Sequence, residues 1–225
     1  MMLKKQWGAI ESYHDWIRPK IVANALELLD KEIPRYKGKV SKVYISFATD
    51  PFMYGVQEVE DLTLEILSKL NQHDIGATLI SKGVYPDMLA DRSIYCEQNE
   101  YGATIVSLSD NFRKEFEPNT APYSLRIEAL RKLHDAGLKT WVCMEPYPTP
   151  NIMKQDLREI LHEVAFVDTI VFGRWNYNSK VSGFIHRKQF YNSMANEVVR
   201  FCTKNSIDVY VKGKTIEDVG ETAGV

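Results

Sequence analysis

Polar side chains follow five successive apolar segments of this chain, and their types suit the binding of a small charged ligand. Thr49 and Asp50 follow the first segment, "VYISF". The later segments end in Ser81, Lys82 and Gly83, in Ser107, Ser109 and Asp110, in Glu145 and Pro146, and in Gly173, Arg174, Trp175 and Asn176. Hydroxyl, carboxylate, ammonium and guanidinium groups together can form a hydrogen-bonding rim. Each group alone also has an ordinary turn interpretation, since Asp-Pro and Ser-Lys-Gly are common turn sequences.

The sequence lacks the motifs that are typical of several reaction classes. There is no phosphate-binding G-x-x-x-x-G-K-[ST] loop, no dinucleotide-binding G-x-G-x-x-G and no G-x-S-x-G nucleophile elbow. None of the five histidines follows an apolar segment directly, which disfavours histidine-based hydrolysis and a histidine-rich metal site. Lys82 could form a Schiff base with a carbonyl substrate, and this hypothesis stays open.

The elements that must position these side chains alternate between strands and helices. The apolar segments predict strands at 40–47, 77–81, 103–108, 139–144, 168–173 and 207–211. Most are continuous apolar runs, as parallel strands covered on both faces require. Amphipathic helices are predicted between them and at 19–33, with Pro19 in the first turn, and Gly137 is predicted to end one of them. This order predicts an α/β protein with βαβ units, in which the strand-end side chains converge on one mouth.

Composition is ordinary for one soluble globular domain. The 225 residues carry 28 basic and 30 acidic side chains, so the net charge of −2 does not favour nucleic acid as a partner. No apolar stretch approaches the roughly 20 residues that span a bilayer, and we expect no membrane partner. Cys96, Cys143 and Cys202 match neither a disulfide framework nor a metal-ligand spacing, and reduced thiols predict a cytoplasmic protein.

The ordered series "FATDPF", "LISKG" and "SLSDNFRKEFEPNTAPYSLRIEALRKLHDAGLKTWVCMEPYPTP" resembles the radical S-adenosylmethionine proteins related to spore photoproduct lyase. The resemblance covers roughly residues 19–176, and its most specific part is Glu117-Pro118 with Arg126 and "LHDAGL". It implies a partial parallel (β/α)6 barrel of the radical SAM type that lacks its first strand. We expect one domain over 1–225, with an irregular segment at 1–18, the barrel core at 19–176 and a C-terminal helix and strand at 177–225.

The resemblance also implies cofactors. These proteins hold a [4Fe–4S] cluster on a C-x-x-x-C-x-x-C loop after the first strand, and this chain has no such cysteine triplet. We therefore expect the strand and the cluster loop to lie upstream of Met1, so that only a longer form holds the cluster. In that form the cluster would reduce S-adenosylmethionine to release a 5′-deoxyadenosyl radical. Without the first strand, we expect residues 1–18 to cover the open edge of the barrel or the chain to self-associate.

The resemblance implies six residues that bind S-adenosylmethionine. Thr49 and the Asp50 turn would face its methionine group, and Lys82 would pair with its carboxylate. Ser107 or Ser109 would donate a hydrogen bond, and Arg126 would reach an anion or pair with Glu117.

One position departs from the pattern. Spore photoproduct lyase has a hydrogen-donating cysteine in the part of its sequence that corresponds to the neighbourhood of Phe47 here. A phenyl ring cannot replace a thiol in that role. DNA-lesion lyase chemistry is therefore not implied. The substrate stays open between a small molecule and a nucleic acid. Besides the Schiff-base enzyme, a non-catalytic module that binds a small molecule or a partner remains an alternative.

Overall fold

Six parallel strands form one sheet in the order of the chain, β1-β2-β3-β4-β5-β6. The structure is a computed structural model that describes residues 11, 12, 15, 18–46 and 49–217. The strands are β1 (Lys42–Ile45), β2 (Gly76–Ser81), β3 (Glu100–Thr104), β4 (Lys139–Tyr147), β5 (Thr169–Arg174) and β6 (Asp208–Val211). Every neighbouring pair is parallel, which confirms the predicted α/β fold of a partial barrel.

Five of the six strands lie where the apolar segments predict them, and the third is displaced. The prediction of 103–108 was wrong at both ends, because β3 begins at Glu100 and ends at Thr104. The strand begins with Glu100, a charged residue that a search for apolar runs does not include. Its carboxylate accepts hydrogen bonds from Lys42 and Thr78. Ile105 and Val106 are buried beyond the end of the strand and provided the misleading signal.

Seven α-helices connect the strands within the described residues. They are α1 (Ala25–Tyr36), α2 (Gln57–Asn71), α3 (Asp110–Phe116), α4 (Tyr123–Asp135), α5 (Leu157–Glu163), α6 (Ser179–Ser182) and α7 (Arg187–Asn205). The first begins six residues after the predicted Pro19, so the predicted start was wrong. Gly137 follows α4 with φ of 80° and ends it as predicted.

The two faces of the sheet differ in character. Alternate residues such as Leu79, Val142 and Phe172 pack with the helices in the main hydrophobic core. The opposite face, called here the inner face, carries the intervening residues because side chains alternate along a strand. Gly102 lies on it under the Trp141 ring, where a Cβ would come within 2.3 Å of Trp141 Cε2.

Two further predictions bear on the chain as a whole. Of the segment 1–18, only residues 11, 12, 15 and 18 are described, so its expected role as an edge cover lies mostly outside the described residues. Phe47 lies outside them as well. None of the helices in the described part of the chain is long and apolar enough to cross a membrane.

Candidate functional site

The Asp50 carboxylate connects the loop after β1 to the end of β2 through hydrogen bonds. Its Oδ1 accepts hydrogen bonds from Phe52 N at 3.0 Å and Ser81 Oγ at 2.6 Å. Its Oδ2 accepts from Lys82 N at 2.6 Å. Both carboxylate oxygens are thus used within the protein. Asp50 positions the turn, and Thr49 beside it is exposed at the same end of the sheet.

Lys82 directly follows β2 and forms an ion pair with Glu117. Lys82 Nζ lies 2.8 Å from Glu117 Oε1, and the lysine side chain is 34% exposed while the glutamate is 4% exposed. The other carboxylate oxygen of Glu117 accepts a hydrogen bond from Arg126 Nη1 at 3.0 Å. The carboxylate therefore joins a buried cation to a partly exposed one.

Arg126 is enclosed by its own contacts. Its guanidinium donates to Ala121 O at 2.8 Å, to Thr104 O at 2.8 Å and to Thr120 Oγ1 at 2.6 Å, in addition to Glu117. The Tyr123 ring lies 4.6 Å from Arg126 Cζ. The sequence leaves two roles open for Arg126, to reach an anion or to pair with Glu117. In the structure, Arg126 pairs with Glu117. Arg126 is fully buried, and these contacts use four of its five N–H donors within the protein.

The Glu117 carboxyl group is held in its ionised form. Burial by itself would raise its pKa, but the adjacent Lys82 and Arg126 cations outweigh burial and lower the pKa below its usual 4.5. The same carboxylate contributes, after burial, to a strongly raised pKa of the nearby Tyr123 hydroxyl. Glu117 is therefore a fixed negative charge that holds the Lys82 ammonium in place.

The two serines after β3 shape the start of α3. Ser109 is the N-cap, and its Oγ accepts a hydrogen bond from Phe112 N at 3.3 Å. Ser107 is fully buried, and its Oγ accepts from Ser109 N at 3.1 Å. The Ser107 hydroxyl keeps its own proton for a further acceptor. Direct contact of a ligand with the six predicted residues stays a prediction: Thr49, Asp50, Lys82, Ser107, Ser109 and Arg126.

A second group of polar side chains lies at the ends of β4 and β6. Glu145 Oε2 and Lys212 Nζ are in direct contact. The sequence predicts Glu145 as a strand-end residue, but sequence reasoning missed Lys212. The signal was available, because Lys212 directly follows "IDVYV" just as Lys82 follows "ATLIS".

The described residues do not offer a ligand set for an iron–sulfur cluster. No group of three or more histidine, cysteine, aspartate or glutamate side chains is placed there to hold a metal. Cys96 lies in the loop before β3, Cys143 on β4 and Cys202 on α7, and the last two are buried.

Comparison with known proteins gives a distant relative in sequence. No family model matches the chain. The uncharacterized protein ORF301 of Acidianus two-tailed virus is 25% identical over 169 residues, which cover 72% of this chain and 50% of the relative. The chain thus spans about half the length of this curated relative.

Solved structures identify the fold. Spore photoproduct lyase in complex with dinucleoside spore photoproduct superposes with a TM-score of 0.59 at 15% identity, over 82% of this chain and 64% of that one. The chain has the fold of spore photoproduct lyase. Streptococcus suis SuiB bound to S-adenosylmethionine gives a TM-score of 0.59 at 11% identity, over 88% of this chain and 45% of SuiB. The predicted resemblance is confirmed for the fold.

Proposed function

We propose that this chain is the S-adenosylmethionine-binding barrel domain of a radical SAM enzyme related to spore photoproduct lyase. The observation that carries the proposal is the Lys82 ammonium, which Glu117 holds partly exposed at the carboxyl end of β2. This end of a parallel sheet is where ligands bind in such folds. SuiB, which shares the fold, is a structure bound to S-adenosylmethionine.

The proposal gives the residues at the strand ends different roles. Lys82 pairs with the carboxylate of the methionine group, and an ammonium suits this because it acts as a compact point charge. The exposed Thr49 adds a hydrogen bond, and Ser107, which is fully buried, holds the start of α3 through Ser109 N. Asp50 and Arg126 act indirectly: Asp50 holds the Lys82 backbone, and Arg126 holds Glu117.

The radical reaction needs a cluster that these residues do not hold. S-adenosylmethionine supplies radical chemistry when an iron–sulfur cluster reduces it. Because the chain contains only three separated cysteines, the cluster ligands belong, in this proposal, to a longer form of the protein. The role of this chain is to bind the cofactor, orient it and exclude water.

The substrate of the enzyme stays open in this proposal. The lyase neighbour is a complex with dinucleoside spore photoproduct. The chain has Phe47 near the position where that group has a hydrogen-donating cysteine, so repair of this lesion is not carried over.

The ion pair at Lys82 favours cofactor binding over Schiff-base chemistry. An imine forms from a neutral amine, whereas Lys82 lies 2.8 Å from a glutamate that is held ionised. A lysine in that contact is suited to bind an anion. A non-catalytic binding module is the second candidate, and the described residues favour it through their lack of metal-ligand groups.

Calorimetry with S-adenosylmethionine tests the site. Lys82→Ala should weaken binding by about 1.5–3 kcal/mol, the range for hydrogen bonds to charged groups. The control is Lys204→Ala, on the exposed surface of α7, which should leave the affinity unchanged. Equal affinities of the two variants would refute the role of Lys82.

A second measurement separates the two candidates. An upstream-extended protein, reconstituted anaerobically with iron and sulfide, should form 5′-deoxyadenosine from S-adenosylmethionine. If the extended protein lacks cysteine ligands, or forms no product although it holds a cluster, the binding module is the correct candidate.

A further inference from the structure

The polar group at β4 and β6 lies apart from the Lys82 ion pair and has unused hydrogen-bonding capacity. Glu145 Oε2 contacts Lys212 Nζ, with side chains 21% and 41% exposed. Among the described residues, no hydrogen bond or ion pair involves Glu145 Oε1, and Glu145 is the single hydrogen-bond partner of Lys212 Nζ. Because an ammonium has three N–H groups, an acceptor and free donors lie side by side.

The absence of a side chain at Gly173 leaves space for the Glu145 carboxylate. Gly173 on β5 lies against Glu145, and a Cβ at position 173 would come within 2.8 Å of Glu145 Cδ and 3.0 Å of Glu145 Cβ. Any side chain there would overlap the carboxylate or push it away, since real Cβ atoms do not approach so closely. Glycine at this position keeps Glu145 within reach of Lys212.

Cys143 connects the pair with the proposed cofactor site. It precedes Glu145 by two residues on the same face of β4, and its side chain is buried. Burial raises the pKa of the Cys143 thiol, while Lys212 and Lys82 are both near enough to oppose that change. Lys82 directly follows β2 and Lys212 directly follows β6, so both lysines lie at the carboxyl end of the same parallel sheet.

The charges of the pair restrict what can bind. Glu145 and Lys212 together carry no net charge, so the attraction of a phosphate to the lysine is opposed by its repulsion from the glutamate, and the reverse holds for a free cation. A neutral group that presents an acceptor beside a donor meets neither penalty. The edge of a cis amide has this pattern, with C=O facing Lys212 and N–H facing Glu145, and it occurs in primary carboxamides and in nucleobases.

We infer that Glu145 and Lys212 form a subsite for a neutral amide edge of the substrate, beside the proposed cofactor site. The identification of the bound group as part of the substrate rests on the proposed function. Amide binding itself does not, because it can be measured with this chain alone and without S-adenosylmethionine. A second ion pair provides a matched control. Lys42 Nζ and Glu100 Oε1, 2.6 Å apart on β1 and β3, are similarly exposed, but Thr78 occupies the other oxygen of Glu100.

The test is an NMR titration of the chain labelled with ¹³C-lysine, using acetamide, uridine and methyl phosphate as probes. Acetamide or uridine should shift the Lys212 signal in a saturable way and leave the Lys42 signal unchanged. The tighter binder of the two identifies the carboxamide or the nucleobase as the source of the amide edge. Methyl phosphate should not saturate the Lys212 signal.

Two variants make the assignment specific. Glu145→Gln should weaken binding of the amide probe roughly tenfold or more, as expected for the loss of a hydrogen bond to a charged group. The control variant, Glu100→Gln, should leave binding unchanged. If Glu145→Gln does not fold, Lys212→Gln with calorimetry of uridine and acetamide replaces it, with the same tenfold expectation. The subsite is refuted by no saturable shift with either amide, by preference for methyl phosphate, or by unchanged affinity in these variants.

Discussion

At the scale of single residues, Glu117 is the charge on which the candidate cofactor site depends. It is 4% exposed and contacts both the buried Arg126 and the partly exposed Lys82. Removal of one partner from a buried ion pair costs about 3–5 kcal/mol, because the other charge is left without compensation. Glu117→Gln should therefore lower the free energy of unfolding by about that amount at neutral pH, as measured by urea denaturation.

The same variant should change how stability depends on pH. The pKa of Glu117 is lowered in the folded protein, so its contribution is fully present above the unfolded value of 4.5 and is lost as pH falls through the folded value. The stability difference between the original protein and Glu117→Gln should hence shrink below pH 4.5. Glu128→Gln on the exposed face of α4 is the control, because this side chain is 65% exposed and its replacement leaves no buried cation without a partner. A difference that stays constant with pH would contradict the ionised Glu117.

At the scale of elements, the loop after β1 must pack closely on the end of β2. A Cβ at Gly83 would come within 1.6 Å of Phe52 O, a backbone atom that Asp50 and Ser81 hold in place. Gly83→Ala should therefore destabilise the protein by about 1–3 kcal/mol or more, as overpacking does. Gly213→Ala is the matched control, because nothing lies within 4 Å of a Cβ there. Equal unfolding midpoints in urea would show that this loop does not constrain the site.

The sequence predicts elements well where one physical rule acts alone. Continuous apolar runs located β2, β4, β5 and β6, and the C′ glycine rule located the end of α4. Prediction failed at Glu100, where a cross-strand partner stabilises a charge inside a sheet. The triad of Lys82, Glu117 and Arg126 shows the same limit. Each member could be found from sequence, but which of them faces outward depends on tertiary contacts that no spacing reveals.

At the scale of the whole molecule, the described residues include two strands that have a neighbour on one side only. Within the described residues, β1 and β6 are the ends of the strand order. Each exposes an apolar ring, with Tyr44 53% and Tyr210 59% accessible. A bare edge presents unpaired N–H and C=O groups that another chain can complete. We propose that the chain self-associates through these edges.

Sedimentation velocity at increasing protein concentration tests self-association. The mean mass should rise above that of the monomer, and Tyr210→Lys should reduce the rise, because a charge on an edge strand opposes pairing with a second copy. Leu125→Lys is the control, since it introduces the same charge on α4, where it replaces an apolar side chain that is 38% exposed. This position is remote from both edge strands in sequence. If the mass stays that of a monomer at every concentration, self-association is wrong. If both variants reduce the mass equally, general surface charge rather than strand pairing controls the association, and the edges are not the contact.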